Sequence, residues 1–190
     1  MPICFVSYPA SDAAKQLIRT QPDETHQLSN LMDSSIINTP PPDMPVFNAT
    51  MRKFGAPQTI IHQYQYWSVM LRPAQLTLGS LILAAHEPVR SFSALSQESF
   101  TELHEVISQL ESALAKAFSY DRLNYLMLMM VDPDVHFHVI PRYAKTKYFN
   151  AMEFIDSGWP GAPDFNRTYE IDAETNRLII DHTVSCWGKK

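Results

Sequence analysis

The clearest hydrophobic pattern along the chain is helical and lies in residues 96–118. Apolar side chains recur there three and four positions apart, which is the spacing of one face of an α-helix. These positions are Phe100, Leu103, Val106, Ile107, Leu110, Leu114, Ala117 and Phe118. Ser96 stands where an N-terminal cap would accept a hydrogen bond from the first turn. The pattern therefore predicts one long amphipathic helix.

Two runs before this helix have the composition of β-strands. Residues 59–71 are rich in β-branched and aromatic side chains, and residues 76–85 form another apolar run. Arg72 and Pro73 mark a turn between them. We therefore expect the two runs to form a β-hairpin.

Two more strand-like runs follow the helix, over residues 124–131 and 135–142. Only Asp132, Pro133 and Asp134 separate them, a connection short enough to make the strands antiparallel neighbours. The elements together predict an α+β fold, in which an antiparallel sheet packs against the long helix.

The ends of the chain read differently from its centre. Residues 1–50 predict an irregular N-terminal extension with a short helix over residues 11–20, and residues 51–145 predict the core. Residues 146–190 are expected to form a C-terminal extension. It would end in a hairpin of residues 168–172 and 177–184.

Composition narrows the class of protein. Hydrophobic residues make up 45% and charged residues 18% of the 190 positions, as in an ordinary globular domain. The net charge of −5 gives no basic field, so nucleic acid is not an expected partner. The longest apolar runs are far shorter than the roughly 20 residues of a membrane span. The beginning of the chain has no signal-peptide pattern, and the two cysteines lie far apart, so a reducing cytoplasm is expected.

The strongest chemical signal lies in residues 134–140, with the sequence DVHFHVI. Strand alternation directs Asp134, His136 and His138 to one face and the intervening apolar residues to the other. Paired histidines on a strand are compatible with a structural role, a metal site or a catalytic site. A cupin-type metal site is disfavoured because Arg142 and Tyr143 replace the Glu it needs, and an HxHxD site because Ile140 replaces its Asp. A barrel metallohydrolase needs far more chain than follows the motif.

The stretch DVHFHVIPRY resembles the signature of the histidine-triad (HIT) family, which is His-x-His-x-His followed by two apolar residues. Asp134 stands at the first histidine, His136 matches the middle one and His138 the last. Upstream, the stretch LGSLILAAHEPVRSFSALS and the long helix follow the family's order of elements. The resemblance covers residues 54–143.

The resemblance implies a HIT-like nucleotide hydrolase that uses no metal and no cofactor. His136 would attack the α-phosphate of a nucleotide derivative, such as a diadenosine polyphosphate or a phosphoramidate, and form a nucleotidyl-histidine. The carbonyl of Asp134 would fix its tautomer, and His138 would stabilise charge on the phosphate. A homodimer that pairs through the helix and a sheet edge is also implied.

The expected substrate-binding residues are Arg142, Arg72 and Ser80. Arg142 closes the signature, and Arg72 falls where the family usually has an Asn or Asp that contacts ribose. Asp134 departs from the family's histidine, so its carboxylate would either repel phosphate or relay a proton to the leaving group. The family's Gly-rich loop between the last two strands is also missing.

Two alternatives therefore stay open, a nucleotide-binding protein without catalysis and a nucleotidyltransferase or phosphorylase. The transferase branch commonly ends its motif in Gln, where this chain has His138. Outside the motif, residues 126–130, with the sequence LMLMM, are expected to pack in the core, and His86 is expected to be solvated.

Overall fold

A five-stranded antiparallel sheet forms the centre of the structure, a computed structural model that describes residues 47–188. In spatial order its strands are β1 (Ile60–Gln63), β2 (Trp67–Leu71), β4 (Leu81–Ala85), β6 (His136–Arg142) and β5 (Arg122–Leu126). The predicted α+β fold with an antiparallel sheet is confirmed. The helix predicted over residues 11–20 lies outside the described residues.

Three helices and two small strand pairs complete the described part of the chain. The helices are α1 (Ala49–Lys53), α2 (Gln97–Phe118) and α3 (Ala173–Cys186), with a 3-10 turn at Phe92–Ala94. The strand pairs join β3 (Ala74–Gln75) to β9 (Tyr169–Glu170) and β7 (Lys147–Phe149) to β8 (Met152–Phe154). Among residues 47–188, no helix has the length and apolar character needed to cross a bilayer.

Helix α2 confirms the strongest sequence prediction. The Ser96 side chain caps it by accepting a hydrogen bond from the Ser99 N–H, and the helix ends at Ser119, which adopts a left-handed φ of 48°. The side chains of Val106, Leu110 and Leu114 have no exposed surface. Their burial against one face of the sheet holds the helix in place.

The sheet has two unlike faces because side chains alternate along each strand. The face under α2 carries Val69, Leu83 and Val139, which belong to the main apolar cluster. The other face carries Met70, Ile82 and Ala84 beside the two signature histidines; Ile82 pairs with both Met70 and His138, and Ala84 pairs with His136. The short helix α1 packs on this second face through Met51. We call this second face of the sheet the histidine face.

The predicted first hairpin has one more strand than expected. The second run becomes β4, which pairs antiparallel with β2 as predicted, but residues 59–71 fold into both β1 and β2. The turn between them is stabilised by Glu102 of α2, whose carboxylate accepts the backbone N–H groups of Gln65 at 3.0 Å and Tyr66 at 2.7 Å. This distant contact could not be read from the local pattern.

The β5–β6 pair is antiparallel as predicted, but the strand ends earlier than expected. The last residue pair is Leu126 with His138, and the chain then leaves the sheet until β6 begins. The prediction that residues 126–130 pack in the core is therefore wrong for Met127, Leu128 and Met130, which are 39%, 45% and 96% exposed. Met129 is partly buried and packs against the main apolar cluster.

The predicted terminal hairpin is also wrong, because residues 173–186 form α3. Asp172 caps this helix by accepting the Thr175 N–H at 2.6 Å. Thr175, Ile179 and Thr183 are its buried residues, and their spacing of four is helical. Ile179 joins the main apolar cluster under the sheet. The segment after residue 146 thus contributes to the core.

Candidate active site

His136 begins β6 and has no exposed surface. Its Nδ1 lies 2.8 Å from the carbonyl oxygen of Asp134, the contact that the family resemblance implies. A carbonyl oxygen can only accept a hydrogen bond, so in the neutral ring Nδ1 carries the proton. The lone pair is therefore on Nε2.

His138 lies next to His136 on the same face, with the ring centroids 5.1 Å apart and the planes at 70°. Nε2 of His136 and Nδ1 of His138 are buried, and neither has a hydrogen-bond partner within residues 47–188. Buried polar atoms are rarely left unpaired in native proteins, and those that are often mark functional sites. The pair thus presents two nitrogen atoms that a ligand can engage.

The protonation of His138 is set by its surroundings. Burial first, then the neighbouring His136 and the positive charge of Arg72, lower the pKa of His138 to about 4, although Asp132 opposes the shift. At neutral pH the ring is therefore uncharged. It can donate one N–H to a ligand and accept at the other nitrogen.

Asp134 points its carboxylate toward α1. Its Oδ2 accepts the backbone N–H of Thr50 at 3.2 Å and the Thr50 hydroxyl at 3.1 Å. Thr50 itself is 2% exposed. Asp134 is thus held from both sides, with its side chain on Thr50 and its carbonyl on His136.

Aromatic rings cover the two histidines. Phe54, just after α1, has its ring centroid 5.9 Å from that of His136 and 5.7 Å from that of His138. Phe165, from the loop before β9, contacts the His138 ring edge-on at 5.9 Å. A ligand can reach Nε2 of His136 only when part of this cover moves.

The segment that carries Phe54 is fastened at both ends. Asn48 donates its side-chain N–H to the Ala85 carbonyl at 2.9 Å, and Lys53 pairs with Asp132 at 2.6 Å. The sequence analysis missed this cover, because it divided the segment between an irregular extension that ends at residue 50 and the core that begins at residue 51, and predicted no helix there. An N-cap residue, Asn48, followed by the apolar Met51 was the available signal.

Arg72 directly follows β2, where its backbone N–H donates to the Ser80 carbonyl at 3.0 Å, and its positive charge helps to lower the pKa of His138. Its Nε and Nη1 atoms are buried and have no hydrogen-bond partner in the described part of the chain. Burial lowers the pKa of Arg72. The residue expected to bind substrate thus has donors free to do so.

Arg142 does not fulfil the substrate-binding expectation. It is 4% exposed, and its Nε and Nη2 donate to the two carboxylate oxygens of Asp156 at 2.7 and 3.0 Å. Its Nη1 donates to Asn124 at 2.8 Å and to the Gly161 carbonyl at 3.0 Å. The corrected role is structural: Arg142 ties the sheet to residues 156–161. No sequence signal paired it with Asp156.

Ser80 also serves the fold. It has no exposed surface, and its hydroxyl donates to the Thr77 carbonyl at 2.8 Å while accepting the Thr77 N–H at 3.1 Å. The side chain of Gln75 closes the same turn on the Ser80 backbone. The expectation that Ser80 binds substrate is corrected accordingly, because its hydroxyl is engaged in this turn.

His86, expected to be solvated, is instead half-buried. Its Nε2 lies 2.8 Å from the Ser68 hydroxyl and its Nδ1 lies 2.9 Å from the Gln65 carbonyl. Burial lowers the pKa of His86. Both ring nitrogens of His86 are engaged, and these two hydrogen bonds stabilise the β1–β2 turn. A nearby surface cleft is lined by Glu98, Glu102 and Glu105, and its negative charge disfavours phosphate.

No sequence family model matches this chain, and no curated protein matches it in sequence. Solved structures do match it. A histidine-triad protein from Sinorhizobium meliloti aligns with a TM-score of 0.60 at 18% identity, over 74% of this chain and 95% of that chain. A histidine-triad protein from Bradyrhizobium japonicum gives 0.60 at 18% identity, over 75% and 98%.

A third match is a hypothetical histidine-triad nucleotide-binding protein from Sulfolobus tokodaii, with a TM-score of 0.53 at 14% identity, over 67% of this chain and 82% of that chain. At these identities the likeness establishes the fold. The chain has the histidine-triad fold, as the signature-like stretch around His136 predicts.

Proposed function

We propose that this protein is a histidine-triad hydrolase that cleaves a phosphoanhydride or phosphoramidate bond at the α-phosphate of a nucleotide derivative. The observation that carries the proposal is the state of His136. Its Nδ1–H is fixed by the Asp134 carbonyl, and its Nε2, beside the neutral His138, has no hydrogen-bond partner in the described part of the chain. This is the arrangement that a nucleophilic imidazole requires.

In the first step the Nε2 lone pair of His136 forms a bond to phosphorus, and the bond from phosphorus to the leaving group breaks. The leaving group departs with that electron pair and takes a proton from solvent water. His138 donates a hydrogen bond to a phosphoryl oxygen, where negative charge develops. In the second step water attacks the same phosphorus and releases a proton to solvent, the P–N bond breaks, and its electron pair returns to Nε2, which regenerates neutral His136.

Asp134 serves this reaction by positioning His136. Its carboxylate already accepts two hydrogen bonds from Thr50, which leaves it poorly placed to relay a proton to the leaving group. Its carbonyl holds the Nδ1–H of His136 throughout the cycle and favours the positive charge that the ring gains when Nε2 bonds to phosphorus. Because His136 has no exposed surface and Phe54 lies against its ring, substrate access requires neighbouring side chains such as Phe54 to move.

The test is to trap the intermediate. The purified protein is incubated with an adenylated substrate, such as diadenosine triphosphate or adenosine phosphoramidate, and quenched in base, and its peptides are examined by mass spectrometry. We expect an adenylyl group on the peptide that contains His136. The adduct should be absent from His136→Ala and retained by His104→Ala, which removes an exposed histidine of α2.

The alternative is a nucleotide-binding protein without catalysis. It is favoured by the closed cover over Nε2 of His136 and by the absence of a Gly-rich loop between β5 and β6. Under this alternative, adenosine nucleotides bind but neither adduct nor product forms. A protein that binds nucleotide and leaves every substrate of the panel intact would refute the hydrolase proposal.

We further propose that the protein acts as a homodimer. β5 is an edge strand of the sheet, and an edge with unpaired backbone groups is commonly covered by a partner. Met127 and Leu128, just beyond this strand, are 39% and 45% exposed and add apolar surface to that edge. Light scattering at micromolar concentration should give twice the monomer mass, and a monomer mass would contradict the proposal.

A further inference from the structure

The guanidinium of Arg72 is partly buried and lacks the partners that such a group normally has. Its Nε and Nη1 have no acceptor among residues 47–188. The nearby carboxylates are engaged elsewhere, since Asp132 pairs with Lys53 and Asp134 accepts from Thr50. A desolvated and unpaired cation opposes folding, so a protein that retains one has a use for it.

The position of Arg72 links it to the histidines. Ile82 pairs with Met70 on one side and with His138 on the other, so these three residues form one row across the histidine face. Arg72 follows Met70 by two positions and therefore lies on the same face, one row further along. Because β4 lies between β2 and β6, the backbones of Arg72 and His138 are about 10 Å apart across the sheet and about 7 Å apart along it, a separation that a long arginine side chain bridges in part.

Nε and Nη1 of Arg72, Nε2 of His136 and Nδ1 of His138 are thus four buried atoms on the histidine face that have no hydrogen-bond partner among residues 47–188. A single anionic ligand can satisfy all of them. One phosphate group would contact the free nitrogen atoms of the two imidazoles. The guanidinium of Arg72, one row further along the face, would bind a second anionic group of the same molecule.

We propose that Arg72 binds a second phosphate group of the substrate, distinct from the phosphate that His136 attacks. The inference rests on the proposed nucleotide at His136 and restricts it to nucleotides that carry at least two phosphate groups. The second phosphate can come from two sources, the next position of the 5′ chain or a phosphate ester on the ribose.

The experiment measures binding of ligands that need no turnover. Isothermal titration calorimetry compares AMP with ADP, adenosine 2′,5′-bisphosphate and adenosine 3′,5′-bisphosphate on the wild-type chain. We expect at least one of the three to bind about tenfold or more tightly than AMP, because it gains a charge-assisted contact. A gain with ADP identifies the 5′ chain as the source, and a gain with a bisphosphate identifies the ribose.

The variants separate this role from a structural one. Arg72→Gln should abolish the advantage of the second phosphate, so that the affinities for AMP and for the favoured ligand differ by less than about twofold, whereas Arg72→Lys should keep part of the advantage. Lys116→Gln, which removes an exposed charge from α2, should behave as wild type. Without ligand, Arg72→Gln should melt at the same temperature as wild type or higher, because it removes an unpaired charge.

Three results would overturn the inference: no bisphosphate or ADP binds more tightly than AMP, Arg72→Gln weakens AMP as much as the others, or Arg72→Gln lowers the melting temperature. Absence of any binding counts against it as well. An Arg72-dependent gain without turnover would leave the inference standing and refute only the hydrolase.

Discussion

The two faces of the central sheet differ in role, although the same five strands form both. Under α2, Val69, Leu83 and Val139 have no exposed surface and join the main apolar cluster, so this face stabilises the fold. On the histidine face, burial is almost as complete, yet His136, His138 and Arg72 have buried polar atoms with no hydrogen-bond partner among residues 47–188. The two faces are buried to a similar extent and differ in whether their polar atoms have hydrogen-bond partners. The first face stabilises the fold, and the unpaired atoms of the second are suited to binding a ligand.

The two arginines near the histidine face repeat this contrast on a smaller scale. Arg142 has Asp156, Asn124 and the Gly161 carbonyl as acceptors, and its charge is compensated. Arg72 has no side-chain acceptor in the described part of the chain. In sequence both were candidates for substrate binding, and only the acceptors around each one separate structural from functional use.

The largest effect is expected from one substitution on each face. His136→Ala should lower the turnover rate by at least about a thousandfold, because the nucleophile is lost, while the free energy of unfolding should fall less than in a substitution of the apolar core. Leu110→Ala on α2 should lower the free energy of unfolding by about 2–5 kcal/mol and leave the rate of the remaining folded protein nearly unchanged. Urea unfolding and steady-state kinetics on both variants measure the four quantities. If His136→Ala and Leu110→Ala lowered the turnover rate equally, the proposed difference in role between the two faces would be wrong.

The second prediction concerns the arginines. Arg142→Gln should lower the free energy of unfolding by about 3–5 kcal/mol, because Asp156, which is 9% exposed, would keep a buried charge without its partner. The double variant Arg142→Gln with Asp156→Asn should recover much of that loss, since no charge is then left unpaired. Denaturant unfolding of the single and double variants checks this. A single variant as stable as wild type would show that Arg142 is not the structural residue described here.

The features predicted correctly from the sequence are those that depend on residues close together along the chain. Helix α2, the antiparallel sheet and the alternation around His136 follow local periodicity, and the structure confirms them. The contact of His136 with the Asp134 carbonyl came from the family resemblance and is also present. Local pattern and motif were sufficient because these features depend on neighbours along the chain.

The failures involve partners that are distant in sequence. Arg142 was assigned to substrate because nothing local marks Asp156 as its acceptor. Residues 126–130 were assigned to the core because their composition is apolar, although the strand pairing ends at Leu126. The cover formed by Phe54 and Phe165 depends on two segments that meet only in the folded chain. Which polar groups find hydrogen-bond partners, and which side chains are covered by others, depends on tertiary contacts that the local sequence does not reveal.

The third prediction uses the acidity of His138. Its pKa is about 4 in the folded protein and about 6.5 when unfolded, so the unfolded chain takes up a proton between these values and the folded chain does not. This residue's contribution should therefore lower the free energy of unfolding as pH falls from about 6.5 to about 4, by on the order of 3 kcal/mol. Urea unfolding at pH 7, 5.5 and 4.5 should show a shallower decline for His138→Gln than for wild type. Parallel curves would mean that His138 titrates normally.

The smallest expected effect comes from Thr50, which supports His136 only through Asp134. Thr50→Val removes the hydroxyl that donates to the Asp134 carboxylate and keeps the backbone N–H, so Asp134 should be held less firmly and its carbonyl should orient His136 less well. We expect the turnover rate to fall about five- to tenfold, with little change in KM, because the loss affects the nucleophile rather than the binding of substrate. Thr50→Ser retains the hydroxyl and should restore most of the rate.

Rescue by the conservative variant distinguishes this positioning role from simple loss of stability. The turnover rates of Thr50→Val and Thr50→Ser are compared at a temperature at which thermal unfolding shows both variants fully folded. A positioning role predicts a slower Thr50→Val and a nearly wild-type Thr50→Ser under these conditions. A rate loss that follows the melting temperature, without recovery in Thr50→Ser, would assign Thr50 to packing of α1 on the sheet and leave the orientation of His136 to the Asp134 backbone alone.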